Sequence, residues 1–213
     1  MNTTIIYYTA NVEDEAFEKR IRDNISEKSN LPIVSVSRKP IDFGLNICIG
    51  EQPVCYSNLW KQQLIALKAA KTEFCITAEA DCLYPENYFD FVPPRKDLVY
   101  RYSNVWVHWK RKPKFWKKPR CEGAQMCDRE HWIERLEAMI GGHQGWEPME
   151  EHPRNLVGKI FGVDDRHIWK GDPVISFKTG KGVSGKTSLS KEAPVLELPY
   201  WGDINSIHNK MFR

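Results

Sequence analysis

Ala70-Lys71-Thr72-Glu73-Phe74-Cys75-Ile76-Thr77-Ala78-Glu79-Ala80-Asp81 is the stretch on which the fold of this 213-residue chain turns. Phe74 to Thr77 is short, apolar and β-prone, as a buried strand is. It runs straight into Glu79 and Asp81, which stand at alternate positions and so face one side of the chain as it leaves the sheet. Upstream, Ser57 or Asn58 starts a helix with Trp60, Leu64 and Leu67 as its apolar stripe. Ile33 to Ser37 reads as a strand before it. Ile5 to Thr9 opens the chain as another, and Asn11 is placed to cap a helix whose buried face carries Phe17, Ile21 and Ile25. Strand, helix, strand, helix, strand at this spacing predicts a βαβαβ half of a doubly wound parallel sheet.

The pattern changes after Pro94. Leu98 to Trp109 is β-rich and aromatic, Asp128 to Ile140 reads as a helix with Trp132, Leu136 and Ile140 on one face, and Pro173 to Lys178 suggests a strand. Asp203 can cap a short terminal helix carrying Ile204, Ile207 and Met211. There is no internal repeat and no low-complexity linker. Hydrophobic residues at 41% and charged residues at 28% exclude a disordered, collagenous or coiled-coil chain. No uncharged run approaches the ~18 residues a transmembrane helix needs, and the opening Met1 to Tyr8 lacks a basic n-region, so the expected location is cytoplasmic (a host's cytoplasm for a viral protein). The six cysteines fall in pairs with six, six and five residues between their members, and no CxxC occurs. Structural zinc sites use tighter pairs, so reduced cysteines without zinc are the expectation.

In an open parallel sheet, ligands bind at the carboxyl ends of the strands, where Glu79 and Asp81 fall. Oxygen ligands of this kind suit Mg²⁺ or Mn²⁺, which also take a substrate pyrophosphate; two solvated loop acids are the plain alternative. The run from Ala70 to Asp81 resembles the nucleotide-sugar-binding half of GT-A glycosyltransferases, especially the large family 2 group, in which a helix ending Ala-Lys-Gly-Glu-Tyr leads into an apolar strand and then Asp-Ala-Asp. Length and register match, with Glu79 in place of the first aspartate. The resemblance extends over about residues 5–90. It implies an α/β fold, a single GT-A (Rossmann-like) domain over residues 1–213 with a mixed, mostly parallel sheet flanked by helices. Residues 1–94 would form the nucleotide-sugar-binding half and residues 95–213 the acceptor-binding half. It also implies that Asp81 binds the metal of a metal–nucleotide-sugar complex, Mn²⁺ or Mg²⁺, with Glu79 near the ribose or a metal-bound water. Tyr8, Thr9 and Asn11 are the implied base contacts, with Arg38 after the second strand. Where the family often has Arg-Asn on the preceding helix, this chain has Gln62-Gln63, and Gln62 is the candidate donor contact there.

Cleaving a sugar–phosphate bond builds negative charge on the departing nucleoside diphosphate, which a divalent cation on Asp81 and nearby lysines would stabilise. An inverting enzyme also needs a carboxylate to take the acceptor's proton. Glu147, Glu150 and Glu151 lie in the expected later part of the chain beside a Gly-rich loop, while a retaining enzyme would need no such base. His208 is a second metal-ligand candidate, as a late histidine is in some GT-A enzymes. Gly180 to Thr187 matches the Walker A pattern, but Ser188 to Pro194 give no helix, and the 26 residues after Thr187 are too few for the rest of an NTPase sheet and a Walker B acid. A basic loop over a donor pyrophosphate fits better, with Lys178, Lys181 and Lys186 as phosphate contacts.

Residues 110–120 read as a basic aromatic loop: seven of the 11 are Lys or Arg and none is acidic, so the formal net charge of +3 conceals −4 on the rest of the chain (3 − 7). Trp109, Lys110, Arg111, Lys112, Lys114, Phe115, Trp116, Lys117, Lys118 and Arg120 are the acceptor-binding candidates, the lysines and arginines for phosphates and the rings for bases. So small a GT-A chain with a basic aromatic second half resembles viral enzymes that glycosylate hydroxymethylated pyrimidines in DNA, which implies double-stranded DNA as acceptor and a UDP-sugar as donor. A polysaccharide, lipopolysaccharide or protein acceptor is the alternative within the class, and a non-catalytic nucleic-acid-binding module the alternative outside it.

Overall fold

The computed structural model describes residues 2–119, 121–143, 145–149, 168–183 and 187–213. The elements of the first half are β1 (Thr3–Thr9), α1 (Glu15–Lys28), β2 (Ile33–Ser37), β3 (Leu45–Cys48), α2 (Tyr56–Ala69), β4 (Phe74–Glu79) and β5 (Cys82–Leu83). The second half contributes β6 (Tyr100–Tyr102), β7 (Val105–Trp109), β8 (Lys112–Lys118), β9 (Gln125–Asp128), α3 (Arg129–Ile140), β10 (Ile168–Trp169), β11 (Val174–Lys178), β12 (Glu197–Leu198), β13 (Gly202–Asp203) and α4 (Ile204–Phe212).

A seven-stranded sheet runs β10-β6-β9-β4-β1-β2-β3. Its β4-β1-β2-β3 portion is parallel throughout, and β9 is inserted antiparallel between β4 and β6. Alternation along the strands divides the core between the two faces. Ile5, Tyr7, Ile76 and Ala78 pack with Phe17, Ile21 and Ile25 of α1. Ile6, Val34, Val36 and Cys75 pack with Trp60 and Leu67 of α2 and Trp132 and Leu136 of α3. A second sheet, β5-β11-β7-β8, covers the α1 side. This is a mixed, mostly parallel α/β architecture. No helix among the described residues is long and apolar enough to cross a membrane.

Two local expectations are corrected, and one strand is new. Asn11 does not cap α1: the helix starts at Glu15 with Asp14 in the N-cap position, and Asn11 takes a left-handed φ of 49°. Its Oδ1 instead accepts from the backbone N–H groups of Arg38 and Lys39 at 2.9 Å each, tying the end of β1 to the end of β2. The basic run is not a loop but contains β8, paired antiparallel with β7. Seven-residue β8 tolerates four lysines and Pro113 because it lies at the margin of its sheet, while Phe115 is fully buried. The third difference is β3, which the sequence pattern does not announce. It is an edge strand whose Leu45 remains 59% exposed, so its apolar signal is weak.

The terminal helix α4 docks through His108 of β7, whose Nε2 lies 3.1 Å from His208 Nδ1, with Phe177 and Phe212 packed around His108. Burial first, and His208 second, pull His108 down to about 4 from the 6.5 of a free imidazole. The unfolded chain therefore binds up to about one more proton at this site between pH 6.5 and 4, so its contribution to stability is lost as the solution is acidified through that window. Thermal unfolding of wild type and His108→Asn across this range is expected to give a difference curve that falls toward low pH; a flat difference curve would refute the role.

Candidate active site

The cleft lies where β1, β2 and β4 end, and it encloses about 670 Å³, within the usual ~300–1,000 Å³ of a small-molecule site. Tyr8 and Glu79 are neighbours in the β1–β4 ladder. The Tyr8 hydroxyl donates to Glu79 Oε1 at 3.1 Å. Glu79 is fixed from behind as well. Its backbone N–H donates to the Tyr84 hydroxyl at 2.9 Å, and that hydroxyl donates to the Gly123 carbonyl at 2.6 Å. Burial, reinforced by Asp81, pushes the Glu79 carboxyl well above the usual carboxylate range. Asp81, two residues on, faces Lys178 of β11, whose Nζ stands 3.3 Å from Asp81 Oδ2. The Asp81 charge holds Lys178 well above its ordinary value, against the opposing effect of burial.

The opposite rim is built from the loop after β1. Gln62 Nε2 donates to the Thr9 carbonyl at 2.9 Å, and Arg38 donates to the Ala10 carbonyl at 3.0 Å and pairs with Glu51. Beneath this rim sits Glu18 of α1, 1% exposed, accepting from the Thr9 hydroxyl at 3.1 and 3.0 Å. Burial raises Glu18 to about 7, and Glu13, which accepts from Thr179, is raised for the same reason. A ligand entering here meets a hydroxyl- and amide-lined rim on one side and an Asp–Lys pair on the other.

Among the sequence candidates, the structure brings Tyr8, Thr9, Arg38, Gln62, Glu79, Asp81 and Lys178 together in this cleft. Lys118, from the basic run, lines it too. So do Gly182, Val183 and Thr187 of the loop that imitates a Walker motif; the next helix among the described residues begins only at Ile204. Asn11 is engaged with the β2 backbone, and Lys181 pairs with Asp14 at 2.7 Å. Glu147 is exposed, next to Trp146, whose carbonyl accepts from the cleft-lining Asn58 at 2.8 Å. His208 lies against His108 and Phe212 and is not among the lining residues. Glu150, Glu151, Arg120 and Lys186 lie outside the described residues.

Of the acceptor candidates, Lys112, Lys114, Trp116 and Lys118 share one face of β8 by strand alternation, and Trp116 meets Trp109 edge to face at 5.9 Å. Phe115 and Lys117 take the other face, where Lys117 reaches Asn104 at 2.7 Å and the Trp106 ring. Lys110 lies 5.1 Å from the centroid of the Phe212 ring, and Arg111 is exposed in the turn. Sequence reasoning missed Glu13 and Glu18. The signal was there for Glu18, whose place one residue after Phe17 on an amphipathic helix borders the buried stripe.

Asp81 alone suits Mg²⁺ or Mn²⁺, which need only one or two protein carboxylates beside a substrate's phosphates. A cation there would compete with Lys178 for Oδ2.

No protein-family model matches this chain, and no curated protein matches it in sequence. Solved structures resemble it in shape. Staphylococcus aureus TarS residues 1–349, in complex with UDP-GlcNAc, aligns with 12% identity over 88% of this chain and 62% of that one, TM-score 0.49. A glycosyltransferase involved in glycosylation of the major capsid of PBCV-1 aligns with 12% identity over 81% and 83%, TM-score 0.46. Bifunctional IspDF of Campylobacter jejuni aligns with 13% identity over 80% and 49%, TM-score 0.45. The chain thus spans about six tenths of the TarS structure's length.

Proposed function

We propose that this chain is a glycosyltransferase that moves a sugar from a nucleotide sugar, a UDP-sugar, to a hydroxyl acceptor, and that the acceptor is 5-hydroxymethylpyrimidine in double-stranded DNA. The observation that carries the reading is the convergence of Tyr8, Thr9, Arg38, Gln62, Asp81 and Lys178 on one cleft at the carboxyl ends of parallel strands. A UDP-sugar is also the ligand named for TarS. In this reading Tyr8, Thr9 and Asn11 shape the base end, Gln62 and Arg38 hold the rim, and Glu79 stands by the ribose. Lys178 and Lys181 neutralise phosphate oxygens. Asp81 would hold Mn²⁺ or Mg²⁺, while His208, engaged with His108 outside the cleft, is not placed to share the ion; when bound, that ion supplies Lewis-acid stabilisation of the departing diphosphate. The proton of the acceptor hydroxyl goes to one of Glu147, Glu150 and Glu151; the carbonyl of Trp146, just before Glu147, accepts from Asn58 in the cleft wall.

The acceptor reading is supported by β8. The face bearing exposed Lys112 and Lys114 ends at Lys118 in the cleft, so a polyanion lying along it leads to the donor. Charge reversal at Lys112 and Lys114 together is expected to weaken binding of a hydroxymethylated duplex by about ten-fold or more and to reduce the slope of log affinity against log salt by about two. An unchanged slope would refute DNA as the acceptor.

The function itself is tested by incubating the protein with a panel of nucleotide sugars and Mn²⁺ or Mg²⁺, with and without hydroxymethylated DNA, followed by nucleoside mass spectrometry. Transfer to the DNA base is the expected result. Donor turnover without DNA product would shift the acceptor to a saccharide, lipopolysaccharide or protein; duplex binding with no donor bound would leave a non-catalytic nucleic-acid-binding module.

A further inference from the structure

Behind the cleft wall, chain segments far apart in sequence bring together a carboxylate and two thiols. Glu79 at the end of β4, Cys82 in β5 and Cys121 just before β9 each present a ligand atom, and these atoms all lie within 4.8 Å of one another. The two cysteines are 0% and 1% exposed. A further oxygen, Asp81 Oδ1, stands 3.4 Å from Cys82 Sγ. In a tetrahedral site with metal–sulfur bonds of about 2.3 Å and metal–oxygen bonds of about 2.1 Å, ligand atoms sit roughly 3.4–3.8 Å apart. Closing this cluster onto an ion therefore takes movements of about 1 Å, within the reach of side-chain adjustment.

We propose that Glu79, Cys82 and Cys121 form a binding site for a thiophilic divalent ion of the Zn²⁺ class, with Asp81 or a water molecule as fourth ligand. The donor set argues for the class: two sulfurs and a carboxylate select Zn²⁺ over Mg²⁺ or Ca²⁺, which take oxygen. The surroundings argue for a built site. Tyr8 orients the Glu79 carboxylate from outside, as partners behind a metal ligand do, and Lys178 does the same for Asp81. Gly123 leaves room for that carboxylate where any larger residue would collide with it. A buried thiol packed only as a small hydrophobe gains nothing from two carboxylates beside it. Binding displaces to solvent the protons that the two thiols and the Glu79 carboxyl carry, each S–H or O–H bond giving way to a metal–ligand bond. The proposal does not rest on glycosyl transfer, since Glu79 here serves the sulfurs, and either reading survives failure of the other.

The test is a cobalt titration of the reduced, metal-free full chain. Co²⁺ is expected to give a thiolate-to-metal charge-transfer band and tetrahedral visible bands that saturate near about one equivalent per chain and vanish on adding Zn²⁺. Cys82→Ser and Cys121→Ser should each remove most of the charge-transfer intensity, and the Cys48→Ser/Cys55→Ser pair should leave it intact. A wild-type protein without the band, or a band that follows Cys48 and Cys55, overturns the proposal. Should the buried substitutions unfold the chain, X-ray absorption of the wild-type zinc complex decides: two sulfur scatterers support the site, and an all-oxygen or nitrogen shell overturns it.

Discussion

Asp81→Ala is expected to lower kcat/KM for sugar transfer by about 10³-fold, roughly 4 kcal/mol of transition-state stabilisation, with little loss of fold. In the proposed reading Asp81 is the cleft carboxylate that holds a cation against a diphosphate; it also faces Lys178 and holds that lysine above its ordinary value. Charge develops on the leaving group only in the transition state, so the loss falls chiefly on kcat. Stability should change by no more than about 1–2 kcal/mol, because both partners of the ion pair keep about a fifth to a quarter of their side-chain surface in contact with solvent. Turnover is measured against added Mn²⁺ in wild type and variant, with donor affinity followed by calorimetry. A variant whose metal dependence and donor binding match wild type would remove Asp81 from the site. Lys178→Ala separates the two roles. If Lys178 acts on phosphate directly, it loses activity in its own right, and the double variant is less than additively impaired because the two side chains share one partner.

How far such a site is legible in sequence depends on whether its parts are local. The strand from Phe74 and the carboxylates after it announce themselves through one apolar run and one turn of chain. The helix stripes of α1 and α2 do so through their spacing, and together these give the parallel half of the sheet. What escaped was decided through space. Asn11 looks like a cap by residue type, yet its side chain serves the backbone of β2, a partner 27 residues away that no local window contains. The basic run looks like a loop because its composition is polar; it becomes a strand because β7 offers a ladder and the core accepts Phe115. Cysteine spacing shows no tight pair, and a local window says nothing of which thiols meet in space. The pair that meets, Cys82 and Cys121, belongs to two different sequence pairs and is joined only when β5 and the segment before β9 converge on Glu79.

Gly123→Ala is expected to destabilise the protein by about 1–3 kcal/mol and to cut transfer by at least about ten-fold, through Glu79 alone. A Cβ at this position would stand 2.8 Å from Glu79 Cγ and closer still to its Cδ and Oε2. Gly123 is not among the residues with positive φ, so alanine brings no backbone strain, and the whole cost lies in the collision. The carboxylate has little freedom to escape. Tyr8 holds it from the β1 side, and Tyr84 bridges the Glu79 N–H to the Gly123 carbonyl, so the two segments cannot part without breaking that bridge. Removing the obstacle should therefore rescue the fold: Gly123→Ala/Glu79→Ala is expected to recover most of the lost melting temperature, a coupling of about 1 kcal/mol or more between the sites. Activity should stay low, since the carboxylate itself is gone. Additive losses in stability would mean that Gly123 acts elsewhere than on Glu79, whereas rescue of stability without rescue of turnover shows a glycine kept for the carboxylate beside it.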